Sequence, residues 1–550
     1  MCVSVKAIVN LLSGCAVALF GVTACIDIDE NLGKELIASN QLFDIYTTDL
    51  PLTDIRMEMA DSLTGLSSKR ITIGSVRDEL FGLTTRSCAL TLVPVSDTLD
   101  FGTDPVLREM HFSTALDTVS VPNEADRYLL QNIRVYELAE PLDLAHVRTN
   151  SAPKKGAAIT DGPVVFNGND SLSFNFSRSY AERFFDLTLA DLDTITSYTK
   201  KFPGILIEAD APVGNGGRIN LFNLSSLSYS SSYGSYYLNG NCVRFKFTAT
   251  YDGERKDTTF VFLCGEPTLL DEQAYVDAGS RFPQYAFNIT GHESKALEGR
   301  ATDKLLVEGG GGLKPVIKAD ALAETVKEEI RSKGGNPAEV IISRAQITLP
   351  FEYGGDEQQL GTLYPVMLSP TCRIISEEDG ASFAGLSDSS ASTEDQGTLH
   401  RDLLCYSPDI AHHLQQLLAL NEDADSESYD IWLLIMANET TVTESSNSSS
   451  DYYQQLAYYS YLNSLYNGYG YGYGGYGYGG YGGYGGYGYN SYSNYYNYAM
   501  MAAMMSSSSS STSTSTELDK DRYYRAVLNG PDGPGDRVPT LSITYALPRE

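Results

Sequence analysis

The sequence predicts a mainly β protein, with two β-sandwich-like regions of antiparallel sheets, a few short helices and a long low-complexity insertion. Three observations predict this class. Many short segments alternate apolar and polar residues with a period of two, as in sheets with one solvent-exposed face. Segments with helical periodicity are few. One stretch, at about 440–516, is nearly all Gly, Tyr, Ser and Asn, so it cannot bury a conventional core.

Five segments carry the strand pattern. The clearest is a hairpin at 243–263, in which Phe245 and Phe247 alternate with polar residues and Asp252-Gly253 forms the turn. The other four segments lie at 41–52, 88–101, 343–353 and 539–550.

Three segments predict helices. The first covers 178–187. The second covers 320–335, where Asp320 is a capping residue and two glycines end the helix. The third begins with Ser407 as its N-cap and Pro408 in its first turn.

These patterns divide the chain into five parts. They are a lipoprotein signal peptide at 1–24, a lipidated acidic tether at 25–40, an N-terminal β-rich region at 41–300, a C-terminal β-rich region at 301–550, and a disordered Gly/Tyr/Ser-rich insertion that interrupts the last region at about 440–516.

The first residues predict a secretory signal. Lys6 is the one charged residue, and an apolar stretch of about 18 residues follows it. A membrane span is the alternative, but that length is marginal for a span. The stretch ends in VTAC at 22–25, which resembles a bacterial lipobox, so we expect cleavage before Cys25 and lipidation of its thiol. A second lipobox-like stretch ends at Cys15, but it leaves an apolar core of only about seven residues.

Acidic residues follow the lipidated cysteine directly, at Asp27, Asp29 and Glu30. They resemble the export signal that sends Bacteroidota lipoproteins to the outside of the outer membrane; the alternative is a soluble acidic tether. Two or three acyl chains, palmitate among them, anchor a protein stably without a spanning helix. We therefore expect an outer-membrane protein, lipid-anchored and facing the cell exterior, with the membrane as a partner.

The charge balance argues against a nucleic-acid partner. The formal net charge is −31 and the pI is about 4.5, whereas binding to phosphates needs lysine and arginine. A strongly acidic surface keeps the protein soluble and repels anionic surfaces.

The cysteines do not form the pattern of a metal site. Five remain after the signal peptide and the lipidated cysteine, at Cys88, Cys242, Cys264, Cys372 and Cys405. Their number is odd and no CxxC motif occurs, so we predict no zinc site and no cofactor. Cys242 and Cys264 flank the predicted hairpin and could pair, but buried free thiols are the favoured interpretation.

Three stretches resemble known catalytic or metal-binding motifs, but each lacks residues that the motif requires. VEGGGGLK at 307–314 lacks the Ser or Thr and the helix of a phosphate-binding loop. GASFA at 380–384 ends in Ala and lies in a predicted polar loop, so it fails as a nucleophile elbow. A calcium-type loop from Asp423 lacks the glycine and the final glutamate, which leaves only a loose calcium site open. We predict no catalytic residues and no enzyme activity.

A short pattern recurs six times: Asp, then Ser or Thr, then an apolar residue or Thr. It resembles the periplasmic O-glycosylation signal of Bacteroidota; the alternative is that Asp-Thr is common where turns enter strands. The candidate O-glycosylation residues are Ser62, Thr98, Thr118, Ser171, Thr194 and Thr258.

The segment ITIGSVRDELFGLTTRSCALTL, at 71–92, resembles the LGSYxDPxFGxTxA segment of a family of Bacteroidota outer-membrane lipoproteins classed as domain of unknown function 4270. Seven further segments resemble the family's motifs in the family's order. Val76 and Glu79 depart from the pattern, as does the insertion at about 440–516. The matching residues in the first segment are Gly74, Ser75, Asp78, Phe81, Gly82 and Thr84.

The resemblance implies a non-enzymatic, β-rich lipoprotein with no catalytic residues to carry over. We expect a structural or interaction subunit on the cell surface, an accessory of an outer-membrane protein assembly or transport complex with an outer-membrane β-barrel or another surface protein as its partner. The alternative is a glycan-binding or adhesive surface module, because exposed tyrosines stack on sugar rings. An enzyme is the third possibility, and it requires a pocket of converging carboxylates.

Overall fold

The computed structural model describes residues 43–63, 70–94, 99–121, 124–143, 146–223, 226–230, 235–239, 242–263, 286–354, 365, 367–376, 380–386, 388, 397–421, 425–444, 510–518, 524–533 and 535–549. The strands of these residues up to 230 are β1 (Phe43–Pro51), β2 (Ile55–Met59), β3 (Arg70–Asp78), β4 (Gly82–Leu90), β5 (Val93–Pro94), β6 (Thr103–Ser120), β7 (Gln131–Leu138), β8 (Lys155–Ala158), β9 (Val164–Phe166), β10 (Ser171–Asn175), β11 (Ile205–Ala209), β12 (Gly216–Asn223) and β13 (Ser226–Ser230).

The strands that follow are β14 (Ser235–Asn239), β15 (Cys242–Tyr251), β16 (Glu254–Leu263), β17 (Ala286–His292), β18 (Gly299–Arg300), β19 (Lys304–Glu308), β20 (Leu313–Ile317), β21 (Ile341–Pro350), β22 (Leu368–Ser376), β23 (Gly380–Gly385), β24 (Leu399–His400), β25 (Cys405–Tyr406), β26 (Ile431–Glu444), β27 (Ser510–Leu518), β28 (Arg525–Asn529) and β29 (Thr540–Pro548). The α-helices are α1 (Arg178–Glu182), α2 (Ile195–Lys201), α3 (Ala319–Ser332) and α4 (Ala411–Leu418). The predicted class, mainly β with antiparallel sheets and a few short helices, is confirmed.

A sheet of thirteen strands dominates the N-terminal half. Neighbouring strands follow the order β5-β16-β15-β6-β12-β3-β4-β11-β7-β8, and β10, β17 and β9 pair at its side with β6, β4 and β7. Its core is rich in phenylalanine. The rings of Phe101, Phe245, Phe247 and Phe260 meet tilted or edge-on, with centroids between 5.2 and 6.2 Å apart. Such aromatic contacts add to the stabilisation from burial.

The predicted hairpin is confirmed, and its phenylalanines belong to this core. Strands β15 and β16 pair along their whole length. Asp252 and Gly253 have φ angles of 52° and 81°, as a two-residue primed turn requires. Phe245 and Phe247 are buried, as the alternation predicts.

The C-terminal half contains a five-stranded sheet, β1-β29-β21-β25-β24, and a seven-stranded sheet, β18-β2-β20-β26-β22-β23 with β27 beside β26. Strands β19 and β28 form a separate pair. Helices α3 and α4 contribute to the mainly aliphatic core of this half. The apolar stripe of α3, formed by Leu322, Val326 and Ile330, is buried in it.

The first two strands of the chain belong to the C-terminal sheets. Strand β1 pairs with β29 from Phe43↔Pro548 to Pro51↔Thr540, and β2 pairs with β20. The segment predicted as one N-terminal region at 41–300 therefore contributes residues 43–59 to the other half. Alternation indicates which side chains face a core, but it contains no signal for which strand becomes the neighbour.

The helix starts differ from the predicted caps. Helix α3 begins after Lys318, and the carboxylate of Asp430 accepts a hydrogen bond from the N–H of Ala319 at 2.9 Å. Helix α4 begins after Ile410, so Ser407 is not its N-cap. The carboxylate of Asp388 accepts hydrogen bonds from the first-turn N–H groups of α4. Carboxylates from distant loops cap both helices, and local sequence does not reveal them.

The insertion joins two paired strands. The described residues end at Glu444 in β26 and resume at Ser510 in β27, and these two residues are paired neighbours. The outer residues of the segment predicted at about 440–516 therefore continue a strand ladder, with Thr440 opposite Thr514. The Gly/Tyr tract at 467–490 lies outside the described residues.

Candidate functional site: a buried charged junction

A cluster of buried charged side chains lies where the N-terminal sheet meets the C-terminal half. Neighbouring strands β4 and β17 supply Thr84, Arg86 and His292, with His292 opposite Thr84. Strands β19 and β20, joined by four glycines, supply Glu308 and Lys314. We call this cluster, together with Ser294, the charged junction. Its members are almost entirely shielded from water.

Glu308 is the anionic centre of the charged junction. Its carboxylate accepts hydrogen bonds from the hydroxyl of Thr84 and, at 2.5 Å, from the hydroxyl of Ser294. Nδ1 of His292 lies 3.1 Å from Oε1 of Glu308. Burial alone raises the pKa of Glu308, but the charge of His292 and these hydrogen bonds outweigh it and lower the pKa to about 2. The carboxylate is therefore ionised at every physiological pH.

Lys314 is held by the glycine-rich connection that precedes it. Its ammonium donates hydrogen bonds to the carbonyl oxygens of Glu308, Gly310 and Gly312, the last two at 3.1 and 3.0 Å. A phosphate-binding loop presents backbone N–H groups to an anion, whereas here carbonyl oxygens surround a cation of the chain itself. The failed motif at 307–314 is thus a structural loop.

Glycine is required in this loop because the chain packs too closely for a side chain. Gly310 has a φ of +60°, and a Cβ atom there would lie 2.2 Å from Nη2 of Arg86. A Cβ atom on Gly312 would lie 2.6 Å from Oε2 of Glu308. Arg86 itself donates from Nη2 to the carbonyl oxygen of Gly309 at 3.3 Å. The four glycines allow the loop to pack against the charged side chains of both halves.

A second ionic contact extends the junction towards β28. Nη1 of Arg525 lies 2.5 Å from Oδ2 of Asp78, and its guanidinium lies 5.7 Å from the ring of Phe81. Oδ1 of Asp78 accepts hydrogen bonds from the N–H groups of Leu80 and Phe81, which closes the β3–β4 turn. Burial raises the pKa of Asp78, but the hydrogen bonds and the charge of Arg525 outweigh burial and lower the pKa.

Segments more than 200 residues apart thus converge at one place. The motif at 71–92 contributes Asp78, Thr84 and Arg86, whereas Glu308 and Lys314 come from the segment at 305–322. Sequence reasoning treated these segments as separate and missed the junction. A signal was present in the sequence, because Glu308 ends the apolar run LLVE and Lys314 interrupts the apolar run LKPVI. Charges buried in strands require partners.

Arg218 organises a second region, at one end of the large sheet. Its side chain is fully buried and donates to the carbonyl oxygens of Leu129 and Phe166 and, at 2.8 Å, to the side-chain oxygen of Asn220. Burial lowers the pKa of Arg218 to about 10. One guanidinium therefore fixes the segment before β7 to the last residue of β9.

Exposed apolar residues surround the region held by Arg218. Leu130 is 71% and Val165 is 59% exposed. Val165 in β9 lies opposite Asn132 in β7, two residues after Leu130. In the loop after β11, the N–H of Asp210 donates a hydrogen bond to the carbonyl oxygen of Asn132. The side chain of Val213 in the same loop is fully exposed. We call this group the apolar tip. It consists of Tyr128, Leu129, Leu130, Val165 and Val213.

Many of the site residues predicted from sequence lie outside the described residues. These are Cys25, Asp27, Asp29, Glu30, Thr98, Cys264 and Asp423. Cys242 is buried, and burial raises the pKa of its thiol. The GASFA stretch forms β23 and pairs with β22, so its prediction as a polar loop is wrong.

The structure places the candidate O-glycosylation residues in several settings. Ser171 begins β10 and is exposed, and Thr194 is exposed as the N-cap of α2, where it accepts a hydrogen bond from the N–H of Ser197. Ser62 and Thr258 are half-buried. Thr118 lies within β6. Exposure favours Ser171 and Thr194 as acceptors.

Comparisons with protein-family models, with curated proteins and with solved structures give no match in any of the three. Within the described ranges, no group of three or more His, Cys, Asp or Glu residues is placed to hold a metal ion. No helix in those ranges has the length and apolarity needed to cross a membrane.

Proposed function

We propose that this chain is a lipid-anchored protein on the outside of the outer membrane that acts as a non-enzymatic structural or interaction subunit, an accessory of an outer-membrane assembly or transport complex. The observation that carries the proposal is the lipobox ending at Cys25 and the acidic residues Asp27, Asp29 and Glu30 behind it. A lipid anchor of this kind keeps a folded body at the membrane surface.

The position of the folded body fits an anchored protein. The first described residue is Phe43 in β1, so the 17 residues at 26–42 separate it from Cys25. A fully extended chain of that length spans at most roughly 60 Å. The segment is long enough to place the body beside the membrane and short enough to hold it there.

The apolar tip supports the role as an interaction subunit. Leu130 and Val165 are well exposed on segments that the buried Arg218 holds together. Val213 is exposed on the loop that Asp210 joins to Asn132. Contiguous exposed apolar side chains on soluble surfaces mark contact sites. A tip that is already ordered loses less conformational entropy when a protein partner binds.

The charged junction supports a structural rather than a catalytic role. Glu308 and Lys314 have no solvent-exposed surface, and their polar atoms contact other groups of the chain. A catalytic carboxylate must reach its substrate. The junction instead joins the two halves of the body.

Two experiments test the proposal. Metabolic labelling with palmitate tests the anchor: Cys25→Ser abolishes labelling, whereas the control Cys15→Ser retains it. Labelling that persists in Cys25→Ser would refute the lipobox assignment.

Crosslinking on intact cells, followed by mild detergent extraction, tests the role as an interaction subunit. We expect an outer-membrane β-barrel to co-purify, and isolation as a lone monomer that binds saccharides on an array would favour the glycan-binding alternative.

A further inference from the structure

The outer face of the five-stranded sheet changes from apolar to polar along its strands. Residues directly opposite each other in antiparallel pairs share one face of a sheet. Ile45 lies opposite Ala546, which lies opposite Ile341, so these three side chains form one row. Phe43 lies opposite Pro548 on the same face. We call these five residues the apolar row.

The apolar row is exposed to solvent. Ile45 is 73%, Ile341 is 49% and Phe43 is 43% exposed. On the other face of the same strands, Leu541, Ile543 and Tyr545 are buried in the core. The exposed residues of the apolar row therefore do not belong to the packing of the sheet.

The same face becomes polar away from the row. Thr47 and Thr544 share a hydrogen bond of 3.2 Å between their hydroxyls, and Ser542 donates to the carboxylate of Asp49. Asp49 is four residues from Ile45, about 13 Å along the strand. The exposed apolar surface is thus confined to the end of the sheet where β1 begins.

That end is also where the chain from Cys25 enters the folded body, at Phe43. The 17 residues at 26–42 span at most roughly 60 Å when fully extended. An anchor at Cys25 therefore holds the apolar row near the lipid surface at an effective concentration in roughly the millimolar range. Weak contacts between a few apolar side chains and lipid become significant under that condition.

We propose that the apolar row docks on the membrane surface, with Ile45, Ile341 and Phe43 in contact with the boundary between headgroups and acyl chains. This inference rests on the proposed lipid anchor. Docking by apolar contact suits a chain with a net charge of −31, because an acidic body gains nothing from anionic headgroups. The docked body has a defined orientation instead of rotating freely on its tether.

Quenching of tryptophan fluorescence by brominated lipid tests the proposal. The chain has one tryptophan, Trp432, which is 4% exposed and gives a constant background. Full-length lipidated protein carrying Ile45→Trp is reconstituted in phosphatidylcholine vesicles with and without brominated acyl chains. The matched control is Ile375→Trp, because Ile375 is 74% exposed on β22 of the other sheet.

We expect bromine to reduce the added emission of Ile45→Trp at least twofold and to leave that of Ile375→Trp unchanged. The emission of Asp49→Trp, on the same strand, should be quenched to an intermediate extent. Equal emission of Ile45→Trp with and without bromine, in protein that floats with the vesicles, would overturn the docking while leaving the anchor intact. Protein that fails to float would refute the anchor. A blue shift without quenching that grows with protein concentration would assign the row to a second copy and would also overturn the proposal.

Discussion

Nδ1 of His292 lies 3.1 Å from Oε1 of Glu308, in a site where both side chains are buried. The pKa of Glu308 is lowered from 4.5 to about 2 despite its burial. A group whose pKa is lower in the folded state stabilises the fold above its unfolded pKa, and this stabilisation is lost as the pH falls towards the folded pKa. The stability of the protein should therefore decrease between about pH 5 and pH 2.

We predict that Glu308→Gln removes much of this acid sensitivity. One pKa unit corresponds to about 1.4 kcal/mol, so the depression is worth about 3 kcal/mol of unfolding free energy above pH 5. Urea denaturation of the wild type and the variant at pH 6 and pH 3 measures it. The variant should lose about 3 kcal/mol at pH 6 and much less at pH 3. Glu324→Gln, at an exposed position on α3, is the control, and equal pH profiles for all three proteins would contradict the prediction.

The Gly310→Ala substitution should destabilise the protein strongly. Its Cβ atom would lie 2.2 Å from Nη2 of Arg86, and the φ of +60° is unfavourable for alanine. We expect a loss of about 2–4 kcal/mol, the sum of backbone strain and displacement of a buried cation. Gly162→Ala is the matched control because no atom lies within 4 Å of the position its Cβ would occupy. Thermal unfolding compares the two, and similar melting temperatures would contradict the account of the loop.

The sequence predicts the strands and the core faces well because both are local properties. The hairpin with Phe245 and Phe247 and the stripe of α3 follow directly from the period of apolar residues. Pairing between distant segments is not local. The pairing of β1 with β29 and the hydrogen bond from Thr84 to Glu308 each join residues that lie more than 200 positions apart in the sequence. The charges at Glu308 and Lys314 were visible in the sequence, but their partners were not.

Arg218→Met should loosen the apolar tip. Methionine keeps the apolar stem but leaves the carbonyl oxygens of Leu129 and Phe166 without their donor. We expect the amides of 124–132 and 166–168 to exchange hydrogen at least tenfold faster, together with a loss of about 1–3 kcal/mol. Hydrogen exchange read by mass spectrometry measures it. Arg178→Met, at an exposed arginine on α1, is the control, and unchanged exchange in both variants would show that Arg218 does not hold the tip.

Removing the insertion should leave the body folded. Glu444 and Ser510 are paired neighbours in β26 and β27, so a two-residue Asn-Gly turn in place of 445–509 closes the hairpin with the required geometry. A shorter connection also costs less closure entropy. We expect the melting temperature of this deletion to equal or exceed that of the full chain.

A longer deletion, 440–516, tests whether the outer ladder matters: Ala437 pairs with Glu517, so Asn438 and Glu439 would form the turn. It should also fold, because the buried residues of β26 from Ile431 to Ile435 lie outside the deleted segment. Loss of cooperative unfolding in the first deletion would show that the insertion contributes to the core; loss in the second alone would assign that contribution to the ladder.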